Sequence, residues 1–129
     1  MSHPLDNPIW NALNSGNNTL AYGTGSSMFI KRDVGFFAGL KDNIEEDLRD
    51  LYQLLPVKSV AVLFTVNDIP VPSCWEVRLR KELLQMVYQS KQPVVMDKNG
   101  IVTLGEENIP SMLELTSLTK PGPFLERTI

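Results

Sequence analysis

The sequence predicts a mixed α+β domain in which a central, mainly antiparallel sheet is flanked by two or three helices. Two short β-rich runs within residues 20–30 flank a Gly-Thr-Gly turn, which is the pattern of a hairpin. Residues 44–55 repeat apolar side chains at helical spacing, as an amphipathic helix does. Residues 59–65 form a continuous, β-branched apolar run of strand length. A chain of 129 residues is long enough for one such domain.

The composition is that of a folded domain without a strong charge. Hydrophobic residues make up 43% and charged residues 21% of the chain, which argues against global disorder. With 12 basic and 15 acidic residues the net charge is -3, so no broad positive field attracts nucleic acid or an anionic membrane. We therefore expect neither as a partner.

The cysteine usage and the hydropathy pattern bear on the compartment. Cys74 is the single cysteine, so the chain can form no internal disulfide and lacks the thiols of a zinc or iron–sulfur site. No apolar run approaches the length of about 18 residues that a membrane span needs, and the first residues lack the order of a secretion signal. These features predict a cytoplasmic protein.

The first half of the chain predicts a helix followed by a meander. Residues 7–13 begin with Asn7 as a cap and Pro8 at the first helical position, which favours a short helix. The hairpin of residues 20–30 follows, and the apolar residues 36–40 predict a third strand beside it.

The next two elements are a helix and a buried strand. Residues 44–55 place apolar side chains on one face and acidic ones on the other, with Asn43 and Glu46 as a capping pair and Pro56 as the stop. Residues 59–65 predict a central strand that is buried on both faces.

The second half of the chain carries weaker patterns. Residues 75–88 fit both strand alternation and a helical face, and we favour a strand with a break near Lys81. Residues 94–96 and 101–104 predict a second hairpin around an Asn-Gly turn. Residues 110–119 predict the last helix, which a Lys-Pro-Gly-Pro sequence ends.

The residue pattern yields no catalytic, cofactor-binding or metal-binding set. His3 is the only histidine, and it lies near the amino terminus without a second histidine to complete a site, so we expect it to be idle. Cys74 has no cation near it in sequence that would activate a thiol. The single Gly-x-Gly, Gly23 to Gly25, lacks the following helix and the Lys-Ser/Thr or third glycine of a phosphate loop.

A cluster of acidic residues favours a solvated helix face over a cation site. The acids lie in the first turns of the predicted helix, where the helix dipole stabilises negative charge, and the opposite face is apolar. The cluster comprises Asp42, Glu45, Glu46, Asp47 and Asp50.

Both ends of the chain carry a family resemblance. Residues 112–128 (MLELTSLTKPGPFLERT), residues 3–13 (HPLDNPIWNAL) and residues 84–88 (LQMVY) resemble the two-lobed members of the GNAT superfamily of acyl-CoA-dependent N-acyltransferases. Together these segments extend the resemblance over essentially the whole chain. Glu126 departs from the family pattern, which usually has proline at this place.

The resemblance implies two parts and a cofactor. Residues 1–97 are similar to a degenerate amino-terminal lobe, and residues 98–129 to the first strand and helix of a truncated carboxy-terminal catalytic lobe. The complete family enzyme holds acetyl-CoA with a Gln/Arg-x-x-Gly-x-Gly/Ala loop at a helix start. Leu20 stands where that loop would have Gln or Arg, so we assign no cofactor residue and expect this chain alone not to bind acetyl-CoA.

The resemblance also implies where an acceptor would bind. The loop after the first helix of GNAT domains lines the acceptor pocket, with Phe124 here as an apolar wall and Arg127 as a fixed charge for an anionic acceptor. The structural alternative is that the Pro-Gly-Pro sequence only ends the helix and that Phe124 packs in the core. The candidate acceptor-pocket residues are Pro121, Gly122, Pro123, Phe124, Arg127 and Thr128.

Two functions remain open at this stage. The chain is expected to be the amino-terminal part of an N-acetyltransferase, inactive alone, with the missing catalytic lobe or a second copy as its partner. The alternative is a stand-alone, non-catalytic binding or dimerisation module derived from the same fold. An incomplete catalytic lobe would leave apolar surface uncovered around Met112, Leu115 and Phe124.

Overall fold

The computed structural model describes residues 3–93, 99–122 and 124–128. Three helices and a three-stranded sheet form the fold. In chain order the elements are α1 (Pro8–Leu13), β1 (Ala21–Thr24), β2 (Ser27–Ile30), β3 (Ala38–Leu40), α2 (Glu45–Leu54) and α3 (Ile109–Thr119). Short 3-10 turns occur at Pro4–Asp6, Asn18–Leu20, Glu106–Asn108 and Glu126–Thr128. The predicted α+β class, with a mainly antiparallel sheet and two or three flanking helices, is confirmed.

The three strands form the predicted meander. Their order is β1-β2-β3, and both pairs are antiparallel. Gly23 pairs with Met28 and has a φ of 123°, a backbone conformation that residues with a side chain rarely adopt. A Cβ atom on Gly23 would also lie 2.3 Å from the carbonyl oxygen of Ser27. The first glycine of the Gly-Thr-Gly sequence is therefore required by the hairpin.

The core lies between α2 and the sheet. Leu40 of β3 and Leu51 of α2 are fully buried, and the indole nitrogen of Trp75 donates to the carbonyl oxygen of Leu48 at 2.8 Å. The ring of Trp75 also meets Tyr52 edge to face, with 5.6 Å between ring centroids. The buried cluster comprises Phe29, Ala38, Leu40, Leu48, Leu51, Leu55 and Ile69.

Helix α1 packs closely against β3. A Cβ atom on Gly39 would lie 2.4 Å from the backbone nitrogen of Trp10, so the helix can approach the strand only because this residue has no side chain. Asn7, the predicted cap of α1, makes no side-chain capping bond. Its amide nitrogen instead donates to the carbonyl oxygen of Leu40 at 2.6 Å, which joins the helix start to β3.

The predicted capping pair of α2, Asn43 and Glu46, is wrong. The helix begins after Ile44, and Asn43 has a φ of 56° in the left-handed region. The carboxylate of Asp47 accepts a hydrogen bond from the backbone N–H of Asp42 at 2.9 Å. Asp47 is only 2% exposed, so it is a buried structural residue and not part of a solvated acidic face.

The predicted central strand at residues 59–65 forms one bridge to the rest of the described residues. Val62 pairs with Phe37 in parallel orientation, with a 2.9 Å bond from the Val62 N–H to the Phe36 carbonyl and a 3.0 Å bond from the Ala38 N–H to the Val62 carbonyl. Residues 61–64 are half-buried, so the expectation of burial on both faces is wrong. Continuous apolar runs look alike in a central strand and in an extended segment beside a sheet.

The predicted strand at residues 75–88 is also wrong. This segment has no regular secondary structure and no strand partner among the described residues, and a strand forms only where a neighbour satisfies its N–H and C=O groups. Residues 101–104 of the predicted second hairpin are likewise without strand structure, and residues 94–96 lie outside the described residues.

Helix α3 confirms the predicted last helix. It ends at Lys120, whose φ of 47° and ψ of 52° place it in the left-handed conformation that often ends a helix. The boundary at residue 97 between the two predicted parts falls outside the described residues and stays a prediction.

In the part of the chain that the structure describes, no helix combines the length and the apolar character that a membrane crossing requires.

Candidate functional site

The carboxy-terminal 3-10 turn docks on the connection between β2 and β3. The Arg127 guanidinium pairs with the carboxylate of Asp33 at 2.5 Å between Nη1 and Oδ2. The Thr128 hydroxyl donates to the carbonyl oxygen of Val34 at 2.8 Å and accepts from the backbone N–H of Leu125 at 2.9 Å. The Arg127–Asp33 and Thr128–Val34 contacts each join residues that are 94 positions apart in the sequence.

A groove of about 560 Å³ lies beside this docking contact. Its lining combines apolar or aromatic side chains with charged ones. Its lining residues are Tyr22, Phe29, Lys31, Arg32, Asp33, Leu54, Pro56 and Arg127. The volume falls within the range of about 300–1,000 Å³ that is typical of small-molecule sites. We call this the Lys31–Arg127 groove.

Arg32 is held in the groove wall by its surroundings. Its Nη2 atom donates to the carbonyl oxygen of Val60, and its guanidinium carbon lies 5.1 Å from the ring centroid of Phe36, a cation–π contact. Its Nη1 atom is buried without a hydrogen-bond partner. Burial lowers the pKa of the Arg32 guanidinium, because the charged form loses hydrating water.

The structure brings two of the predicted acceptor-pocket residues to this site. Arg127 lines the groove, and Thr128 anchors the turn that carries it. Pro121 and Gly122 are exposed and Phe124 is half-buried, and none of the three lines the groove. Pro123 lies outside the described residues.

Sequence reasoning missed most of the groove. Lys31 and Arg32 follow β2 directly, and Tyr22 projects from β1. The signal available in the sequence was the Lys-Arg-Asp triplet after the hairpin. Nothing in the sequence showed that a turn near residue 127 would pack against this triplet.

The remaining candidate residues take structural roles or none. His3, expected to be idle, caps the first 3-10 turn: its Nδ1 atom accepts from the backbone N–H of Leu5 at 3.1 Å. Cys74 is half-buried and free. Among the described residues, no group of three or more His, Cys, Asp or Glu side chains could hold a metal ion.

The Gly-x-Gly sequence is not a phosphate loop. Gly23 lies in β1 and the chain continues into β2, so no helix start follows the two glycines. A pyrophosphate site of the family type needs a glycine-rich loop that opens a helix, where backbone N–H groups point at the ligand. The sequence-based preference for a hairpin at this position is confirmed.

The class of protein follows from a comparison with solved structures. The chain is similar to a structure from Novosphingobium aromaticivorans that is assigned to the GNAT family of acetyltransferases, with a TM-score of 0.73 and 26% sequence identity. The similarity covers 98% of this chain and 55% of that one. No protein-family model and no curated protein matches the sequence.

The fold of this chain is that of the GNAT superfamily, which confirms the resemblance seen in its sequence. The chain spans about half the length of the solved structure that it matches.

Proposed function

We propose that the chain is the amino-terminal part of an acyl-CoA-dependent N-acetyltransferase, and that it neither binds acetyl-CoA nor transfers an acyl group by itself. The observation that supports this most directly is the coverage of the structural match. The structural similarity covers 98% of this chain, yet it covers only 55% of the matched chain. As part of such an enzyme, the protein would act in the cytoplasm.

The absence of a cofactor loop supports the second half of the proposal. Acyl transfer from a thioester needs an amine held against the carbonyl, a proton acceptor and donors for the oxyanion. Among the described residues, the Gly-x-Gly sequence belongs to a β-hairpin, so it offers no helix start to a pyrophosphate. The cofactor site of the proposed enzyme would therefore be formed by its catalytic lobe.

A long exposed segment supports a role as one part of a larger fold. Residues 76–93, here called the 76–93 segment, are exposed throughout and have no strand partner among the described residues. Leu84 is 98% and Met86 is 92% exposed. Exposed apolar runs with free backbone hydrogen-bonding groups pair readily with another strand or chain. We propose that a catalytic lobe covers this segment.

Part of the last helix is uncovered as well. Leu115 is 61% exposed, whereas Met112 and Phe124 are half-buried. The apolar surface expected around these three residues is therefore largest at Leu115, and a catalytic lobe would shield it.

Thermal unfolding with and without acetyl-CoA tests the proposal. A ligand that binds only the native state at about 100 times its Kd stabilises it by roughly 2.7 kcal/mol, which raises the Tm of a domain of this size by on the order of 8 °C. We expect no shift for this chain. A dose-dependent rise with acetyl-CoA, absent with free adenosine diphosphate, would show that the chain carries its own cofactor site.

A second candidate function follows from the same exposed residues. A stand-alone binding or dimerisation module would cover the 76–93 segment with a second copy of the chain. Light scattering on a size-exclusion column, combined with variants inside and outside the segment, tests this module. The module predicts a dimer that the paired change Leu84→Ser and Met86→Ser dissociates. Val57→Ser, at an exposed site outside the segment, is the matched control.

A further inference from the structure

The Lys31–Arg127 groove carries more positive than negative charge. Lys31, Arg32 and Arg127 supply three cations, and Asp33 supplies the one carboxylate among the described residues that line it. That carboxylate is already paired with Arg127. The chain as a whole has a net charge of -3, so this excess is local and opposite in sign to the rest of the molecule.

Contacts with its neighbours fix the position of the Arg32 charge beside the groove. Its guanidinium is fixed against Phe36 and the Val60 carbonyl, and no carboxylate among the described residues neutralises it. A partly desolvated charge interacts with its neighbours more strongly than a charge in bulk water, because the effective dielectric constant around it is lower. Its field therefore favours an anion in the adjacent groove.

The groove wall also provides apolar surface. Tyr22 and Phe29 contact each other with 6.0 Å between ring centroids, and Leu54 and Pro56 continue the lining. Tyr22 is half exposed, so one side of its ring faces solvent. A ligand that carries a charge alone would leave this wall in contact with water.

We propose that the groove binds a small organic carboxylate, whose charged end faces Lys31 and Arg127 and whose apolar or aromatic body lies against Tyr22 and Leu54, the exposed apolar members of the lining. Arg127 can serve this role because a guanidinium has several N–H donors and only part of the group is used by Asp33. Lys31 adds an ammonium group that makes no ion pair among the described residues. Arg32 acts as a positioned charge behind them.

This inference does not depend on the proposed acetyltransferase role. A titration with a carboxylate probe contains no acyl donor, so its outcome is separate from any result with acetyl-CoA. If the proposed function also holds, the groove would select acceptors that carry a carboxylate.

Nuclear magnetic resonance titration of the full chain tests the site. The probes are benzoate, its neutral counterpart benzamide and inorganic phosphate. We expect benzoate to shift the backbone amide signals of Tyr22, Lys31 and Arg127 in a saturable way. Benzamide lacks the charge and phosphate lacks the apolar body, so each should bind at least tenfold more weakly than benzoate.

Two matched variants test whether benzoate binds in the groove. Lys31→Met removes the ammonium group and keeps a similar stem, and it should weaken benzoate binding by about tenfold. Lys41→Met makes the same charge change at an exposed residue that does not line the groove, and it should change the Kd by less than about twofold. Arg127→Met provides a second groove variant should Lys31→Met fail to fold, which signal dispersion and thermal unfolding would report.

Three results would overturn the proposal. These are the absence of saturable benzoate shifts, equal binding of benzamide and benzoate, and an equal loss of affinity in Lys31→Met and Lys41→Met. The last result would mean that benzoate responds to the overall charge of the chain and not to this groove.

Discussion

Replacing Gly39 by alanine tests how closely α1 must approach β3. The added Cβ atom would lie 2.4 Å from the backbone nitrogen and 2.5 Å from the Cα atom of Trp10. Ordinary contacts of this kind are 3.4 Å or longer. The helix would therefore have to move away by about 1 Å, and backbone atoms cannot rotate aside as a flexible side chain can.

We expect Gly39→Ala to lower the unfolding free energy by about 3 kcal/mol, which is near the upper end of the cost of overpacking a core. Displacing α1 also disturbs Leu13, which is buried, and the Asn7 bond to the Leu40 carbonyl. Urea unfolding followed by circular dichroism measures the change as a lower midpoint at an unchanged slope. Gly16→Ala is the matched control, because nothing lies within 4 Å of its added Cβ atom. A cost below about 0.5 kcal/mol for Gly39→Ala would refute the packing described for α1.

Three further changes test the core and the docking of the carboxy-terminal turn. Leu51→Ala should lower the unfolding free energy in urea by about 2–5 kcal/mol, because Leu51 is fully buried. Leu118→Ala, at an exposed residue, should lower it by less than about 1 kcal/mol. Equal costs would contradict the assigned core. Ser27→Ala removes the buried hydroxyl that donates to the backbone carbonyl oxygen of Asp47 at 2.6 Å, and it should lower the unfolding free energy by about 1–2 kcal/mol. An unchanged unfolding free energy in the same assay would contradict this hydrogen bond. A double-mutant cycle of Asp33→Ala and Arg127→Ala should give a coupling free energy below about 1 kcal/mol that falls with added salt, because both side chains are largely exposed. A salt-independent coupling free energy above about 2 kcal/mol would instead indicate a buried ion pair.

Local patterns predicted the elements that depend on local physics. The hairpin follows from glycines that tolerate positive φ, and α2 follows from an apolar stripe at helical spacing. Helix α3 ends where Lys120 and the following proline cannot continue it. These elements form within the described residues much as the sequence indicated, because each contains its own signal.

The errors concern elements that need a distant partner. The alternation in residues 75–88 favoured a strand, but no neighbouring strand among the described residues satisfies their backbone groups. Residues 59–65 have Phe37 as their one bridge partner in the described part of the chain. Composition reports that a segment can form a strand, and it does not report which segment pairs with it.

The site was predictable only in part for the same reason. Arg127 was identified from the family resemblance, but its neighbours Lys31 and Arg32 lie on a connection almost a hundred positions earlier in the sequence. Asp47 was wrongly assigned to a solvated helix face, because its carboxylate accepts a hydrogen bond from Asp42 in the loop before the helix. Long-range docking and loop geometry set both outcomes.

The most direct test of the proposed function is the intact mass of the native protein in its source cells, measured by mass spectrometry after affinity capture. The account predicts a polypeptide of close to twice the 14.5 kDa of this chain, since the chain spans about half of the matched structure. A native protein of 14.5 kDa would contradict the account and would favour the stand-alone module.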